Sequence, residues 1–161
     1  YTVELFDINK DGKLDLLLGT KEEFIIIPQV DGIFNRSKAI SIKVDSGLEL
    51  MDIAFFDFNK DGTLDILTMS NKDVYNGYAL RLYINENNSF RDATTEYFNN
   101  TDGSGQNNWI AWIRLFDYDN DGDIDIVGDG LSGGLYDTYY VNGKTIWWKN
   151  NNGIFSKVLG N

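Results

Sequence analysis

The 161-residue chain has no cysteine, no histidine and a single proline, Pro28. Without cysteine there is neither a disulfide framework nor a thiolate metal site, although the compartment is left undecided. Without histidine the commonest general base and metal ligand is missing, and with it the usual serine and cysteine triads. Basic residues are few: 14 Lys and Arg stand against 25 Asp and Glu, for a net charge of -11. That balance speaks against nucleic acid as a partner, because a polyanion would be repelled. No apolar run reaches the length of a membrane-spanning helix, so no membrane span is expected. No segment sustains a helical period either; "RDATTEYF" at 91–98 comes nearest and is short. The sequence opens on Tyr1 with no signal-like segment ahead of it, which fits a processed product or a piece of a longer chain.

What is present recurs. "FDYDNDGDIDIV" at 116–127 repeats the spacing of "FDINKDGKLDLL" at 6–17 and "FDFNKDGTLDIL" at 56–67. Each copy is preceded by an apolar run ("YTVELF", "MDIAFF", "AWIRLF") and continues into another ("LDLLLG", "LDILTM", "IDIVGD"). After a stretch of variable length comes a further run that ends, past an Asn- or Gly-containing turn, on Phe34, Phe90 or Phe155. Insertions therefore collect after the second run and spare the acidic joint before it, as expected where a loop can lengthen without disturbing a sheet. The pattern reads as strand, acidic loop, strand, variable loop, strand, tight turn, strand.

Several of these runs are apolar on both faces, so each sheet must be covered on both sides. The expected fold is all-β: four-stranded antiparallel blades of a β-propeller, in three repeats within one domain, 1–161. The blades are placed at about 1–37, 48–92 and 108–158. A closed propeller takes about four to eight blades, which leaves a partial propeller, an open arc or a ring completed by oligomerisation. An apolar terminal face predicts self-association or a place in a larger propeller.

Carboxylates this close repel one another unless a cation sits among them. The spacing D-x-[ND]-x-D-G-x-[LI]-D offers side-chain oxygens at positions 1, 3, 5 and 9 and a backbone carbonyl at 7. The first set is Asp7, Asn9, Asp11, Lys13 and Asp15; the second is Asp57, Asn59, Asp61, Thr63 and Asp65. The third is Asp117, Asp119, Asp121, Asp123 and Asp125. Hard oxygen donors suit calcium, whereas magnesium wants a stricter octahedron, and zinc or copper would recruit His or Cys. An EF-hand requires a glutamate at position 12 and flanking helices, but Leu18, Thr68 and Gly128 stand there between strands. Asp- and Gly-rich turns are common in β-proteins; three aligned copies with the same ninth aspartate favour calcium instead, one ion per loop and three in all. Counting carboxylates predicts the tightest binding at the third loop, where Asp119 replaces an asparagine and Asn120 replaces Lys10 and Lys60.

The unit resembles the calcium-loop blade of the FG-GAP and VCBS repeats, which are similar to the blades of the integrin α-subunit propeller. "LYINENNSFRDATTEYF" and "FDYDNDGDIDIVGDG" resemble in particular the FG-GAP proteins related to cartilage acidic protein. The resemblance implies a propeller, a calcium ion between the first two strands of each blade, and an extracellular or cell-surface, secreted setting. The turn in "NENNSF" departs from the family's Gly-Phe form.

Functionally this points to a calcium-stabilised module for adhesion or for binding a glycan or protein. The aromatic residues of the third copy are the candidate ligand surface, with Tyr136, Tyr139, Tyr140 and Trp148 as contact residues and Trp112 and Trp147 expected in the core. A self-assembling structural repeat is the first alternative. A propeller polysaccharide lyase or hydrolase is the second, with Glu4, Glu49, Asp52, Asp129 and Asp137 as its available acids. No arrangement in the sequence brings two of these to hydrolase separation, so no enzyme is expected.

Overall fold

The computed structural model describes residues 2–21, 23–45, 47–72, 76–104, 109–128 and 146–159. Three short apolar runs, β1 (Thr2–Phe6), β2 (Asp15–Gly19) and β3 (Glu23–Ile27), pair as an antiparallel meander. At Pro28 the chain leaves this sheet, since proline has no N–H to continue the ladder. It forms a side hairpin of β4 (Gln29–Val30) and β5 (Ile33–Phe34), closed at its base by the Asn35 N–H donating to the Pro28 carbonyl at 2.8 Å. After a 3-10 turn at Arg36–Lys38 the chain returns as β6 (Ile40–Lys43), the fourth strand beside β3. Sheet one thus runs to Lys43, past the boundary near 37 drawn from the repeat. Phe34 lies in the side hairpin and not in the outer strand.

Sheet two contains β7 (Leu48–Phe56), β8 (Asp65–Lys72), β9 (Gly77–Glu86) and β10 (Ser89–Asp92). A single helical turn, α1 (Thr94–Tyr97), follows, and β11 (Asp102–Ser104) then adds to β9 as a fifth strand. Sheet three is β12 (Ile113–Phe116), β13 (Asp125–Gly128), β14 (Ile146–Asn151) and β15 (Ile154–Leu159). Among the described residues the chain is all-β, with antiparallel sheets and almost no helix, as its composition predicts. The hairpins β4–β5, β9–β10 and β14–β15 turn on Asp31-Gly32, Asn87-Asn88 and Asn152-Gly153, all at positive φ. Both central residues of a type I′ turn take that geometry, which matches the twist of the flanking strands.

Alternation along the strands gives each sheet two apolar faces. Leu17, Phe24 and Ile26 of sheet one pack against Leu50, Ile66 and Tyr83 of sheet two. The opposite face of sheet two, with Leu67, Met69, Leu80 and Leu82, packs against Ile110, Ile126, Ile146 and Trp148. Each fully buried Leu, Ile or Phe contributes about 1.5–3 kcal/mol. Phe6 stacks on Phe55 between sheets one and two, and Phe58 meets Phe155 edge-on between sheets two and three. Polar groups also cross the second seam: the Asp52 carboxylate accepts the Ile113 N–H at 2.8 Å and pairs with Arg114.

Candidate metal centre

The three acidic loops adopt one conformation. Each joins the first strand of a sheet to the second: β1 to β2, β7 to β8, β12 to β13. The fourth residue is left-handed in every copy, with φ of 57°, 59° and 60° at Lys10, Lys60 and Asn120. The sixth is glycine, with φ of 84°, 90° and 96° at Gly12, Gly62 and Gly122, and open space where a Cβ would stand. Glycine is needed there for its backbone freedom and not for room.

The side chains hold the same places. Asp7 accepts the N–H groups of Asp11 and Gly12 through its two oxygens, and Asp57 and Asp117 accept those of Asp61 and Gly62 and of Asp121 and Gly122. The fifth residue, Asp11, Asp61 or Asp121, accepts the N–H of Lys13, Thr63 or Asp123. Asn9 and Asn59 each accept the N–H two residues on and donate through Nδ2 to Asp11 and Asp61. These contacts wrap the chain of each loop around its first carboxylate.

The ninth aspartates, Asp15, Asp65 and Asp125, are fully buried. Each accepts a backbone N–H from the third strand or, in sheet one, from the first residue of the side hairpin that follows it: Gln29 at 2.9 Å, Asn85 at 2.9 Å and Asn150 at 2.7 Å. Asp65 and Asp125 also accept the N–H of Phe58 and Tyr118. The residue that supplies the third-strand N–H was not singled out from the sequence. Asn85 and Asn150 further donate through Nδ2 to the Leu64 and Ile124 carbonyls and accept the Asn88 and Gly153 N–H groups, so one asparagine clamps acidic loop, strand and turn together. The signal was the asparagine two residues before each turn in "INENN" and "WKNNNG".

Two observations fit a hard cation. In the third loop the carboxylate oxygens of Asp117, Asp119 and Asp125 converge within 4.8 Å of one another. In the first, Asp15 Oδ2 is buried with no hydrogen-bond partner. An ionised oxygen so placed is costly unless a positive charge meets it. Burial pushes the carboxyls of Asp15 and Asp65 above the ordinary range, against the pull of their backbone N–H donors, and the neighbouring loop aspartates add to the rise. Asp61 goes the other way, lowered chiefly by the Thr63 hydroxyl at 2.6 Å. Asp121 is lowered first by a hydrogen bond from Lys149, whose ammonium donates to both Asp119 and Asp121.

The aromatic candidates fare differently. Tyr136, Tyr139 and Tyr140 lie outside the described residues. Trp148 is fully buried in the seam between sheets two and three, and its indole N–H donates to the Asn100 carbonyl at 2.7 Å. It is a core residue and no contact surface, because its place in the ladder opposite Ile126 turns it toward sheet two. Trp147 is buried as expected, whereas Trp112, expected in the core, stands just before β12, is 37 % exposed and carries the Arg114 guanidinium 4.6 Å from its ring centroid. Phe116 and Tyr118 are exposed beside it on the chain. Of the acids outside the loops, Glu49 pairs with Lys21 at 2.7 Å and Asp52 with Arg114, while Asp129 and Asp137 lie outside the described residues.

A comparison of the chain with curated proteins gives no match. Residues 3–68, which span sheet one, the first two acidic loops and the start of β8, match the family model of the FG-GAP-like repeat, so this part of the chain is similar to that repeat.

Proposed function

We propose that the chain is a calcium-binding, calcium-stabilised module whose sheets are blades of a β-propeller arc. The observation that carries this reading is the thrice-repeated loop with a buried ninth aspartate, left with an unpaired Oδ2 in the first copy. Asp7, Asn9, Asp11, Asp15 and the Lys13 carbonyl would hold the first ion, and the matching residues of loops two and three the others. Bound calcium would neutralise the repulsion among the carboxylates and tie the first hairpin of each sheet to its third strand. Modules of this kind in extracellular fluid bind calcium at ~10⁻⁴–10⁻³ M, which suits the secreted or cell-surface setting implied by the FG-GAP resemblance. Adhesion or ligand binding would then fall to the exposed aromatics. Trp112 with its stacked Arg114, Phe116 and Tyr118 offer flat apolar faces to a sugar ring or a protein. Glu49 and Asp52 form structural pairs with Lys21 and Arg114, which favours a binding module over a lyase or hydrolase.

A second reading, assembly, is favoured by sheet one. Val3, Leu18 and Ile25 lie side by side across the ladder, as do Leu5 and Leu16, and Val3 and Leu5 are 65 % and 52 % exposed. The matching faces of sheets two and three, around Ile66 and Ile126, are covered by the sheet before them. A further blade, from a second copy or from a longer chain, would complete the series.

Melting the protein in calcium and in chelator tests the main reading. We expect a higher melting temperature in calcium and three ions bound per chain at millimolar concentration. Identical melts with no bound calcium would overturn it. Sedimentation of wild type and Leu5→Lys tests assembly: self-association lost in the variant supports it, and a monomeric wild type rules out a second copy as the covering blade.

A further inference from the structure

We infer that Lys149 is a built-in counter-ion of the third acidic loop, which keeps that loop ordered without calcium and makes it the weakest calcium site of the three. The inference rests on the calcium reading of the loops.

Lys149 sits in β14 immediately before Asn150, the residue whose N–H bonds the buried Asp125. The equivalent residues in the other copies are Pro28, before Gln29, and Ile84, before Asn85. Of these three positions only the third carries a charge. Its ammonium donates to Asp119 Oδ2, and at 2.9 Å to Asp121 Oδ2. Asp119 is one of the three carboxylates that converge on the site, so the lysine engages a carboxylate that an arriving ion would need.

The chemistry of the third position explains why a lysine is placed there. In loops one and two that residue is asparagine, whose Nδ2 donates to Oδ2 of the fifth-position aspartate: Asn9 to Asp11 and Asn59 to Asp61. In loop three the residue is Asp119, which as a carboxylate has no hydrogen to give and adds a negative charge. Lys149 restores both missing properties. It supplies the hydrogen bond to Asp121 Oδ2 and offsets the additional charge. Asp119 and Lys149 thus act together as a substitute for the asparagine of the other loops. Lys10 directs its ammonium across the seam to the Gly62 carbonyl of the second loop, where its charge also acts on Asp61 through space, but the hydrogen bond it makes is to a neutral oxygen and not to a loop carboxylate. Calcium entering loop three must displace an ammonium held by two carboxylates, whereas among the described residues no ammonium is hydrogen-bonded to a carboxylate of loop one or two. The order of affinity drawn from carboxylate count alone is thereby reversed, since Lys149 lies 28 and 30 residues along the chain from the aspartates it meets.

The test uses the full chain with Lys149→Ile, which installs the residue of the second copy, and the double variant Asp119→Asn with Lys149→Ile, which reproduces the second loop's pairing. Calcium is titrated while the amide resonances of Gly12, Gly62 and Gly122 report each loop separately. In wild type Gly122 should respond at the highest calcium concentration, and in Lys149→Ile at about tenfold less. Melting in chelator should fall in Lys149→Ile and recover in the double variant, while melting in saturating calcium stays at the wild-type value. A Gly122 midpoint unchanged by Lys149→Ile overturns the inference. An equal loss of melting temperature with and without calcium does so too, because that is the mark of simple packing. If calcium moves none of the three glycines, the calcium reading itself fails. The chelator melts then decide on the counter-ion alone, and an unchanged Lys149→Ile melt rejects it.

Discussion

Asn71 and Ile110 are joined by two hydrogen bonds across the seam between sheets two and three. The side-chain Nδ2 donates to the Ile110 carbonyl at 2.9 Å, and Oδ1 accepts the Ile110 N–H at 3.1 Å. Both residues are buried, so neither backbone group of Ile110 has water to fall back on. Replacing Asn71 with Ala should cost about 2–4 kcal/mol, since two buried polar groups lose their partner at once. Urea denaturation measures it, and a loss below about 1 kcal/mol would show that the seam does not depend on this pair.

Asp65 combines a place in the proposed calcium site with two backbone hydrogen bonds, from Phe58 at 2.8 Å and Asn85 at 2.9 Å. Asp65→Ala should therefore destabilise the protein by about 2–3 kcal/mol even in chelator, where no metal contribution is at stake. Asn85→Ala should weaken the same joint. Comparing denaturation of both variants in chelator and in calcium separates the structural share from the metal share.

Arg81 bridges Asp102 at 2.8 Å and Asp45 at 2.7 Å, and so ties β9 to β11 and to the segment before β7. Burial alone would raise the Asp102 carboxyl, but the hydrogen bonds from Arg81 and Thr101 more than offset it and hold the group below its usual value. A carboxyl lowered in the folded state contributes stability that is present above its unfolded pKa and is lost as pH falls through the folded one. Melting followed from about pH 7 to about pH 3 should fall less steeply for Asp102→Asn than for wild type. Parallel profiles would exclude Asp102 as a source of acid sensitivity.

Gly103, in β11, lies against the ring of Tyr78: a Cβ there would stand 2.2 Å from Tyr78 Cε1. Tyr78 is fully buried and cannot swing aside. Gly103→Ala should cost about 1–3 kcal/mol by overpacking. Gly62→Ala, with open space but a φ of 90°, should cost about 1–2 kcal/mol by backbone strain alone. Adding Tyr78→Ala to each variant distinguishes the causes, because only the Gly103 penalty should shrink in the pair.

The acidic loops, the strands around them and the tight turns were legible in the sequence because each is decided by contacts a few residues apart. Asp7 meets Gly12, Asn59 meets Asp61, and Asn87 and Asn88 adopt a turn that their own backbones tolerate. Recurrence in three copies then separated that local pattern from chance. Tertiary structure alone decided the features that depend on register and on which sheet lies opposite. Pro28 diverts one chain segment into a side hairpin, and only the ladder shows that β6 takes up the fourth place. Trp148 is buried and Trp112 exposed because burial depends on the face a residue turns to and the sheet that covers it, and an aromatic residue has the same composition in either setting. Lys149 meets Asp119 and Asp121 across an insertion whose length the repeat leaves free, so no local spacing could place that cation in the third loop.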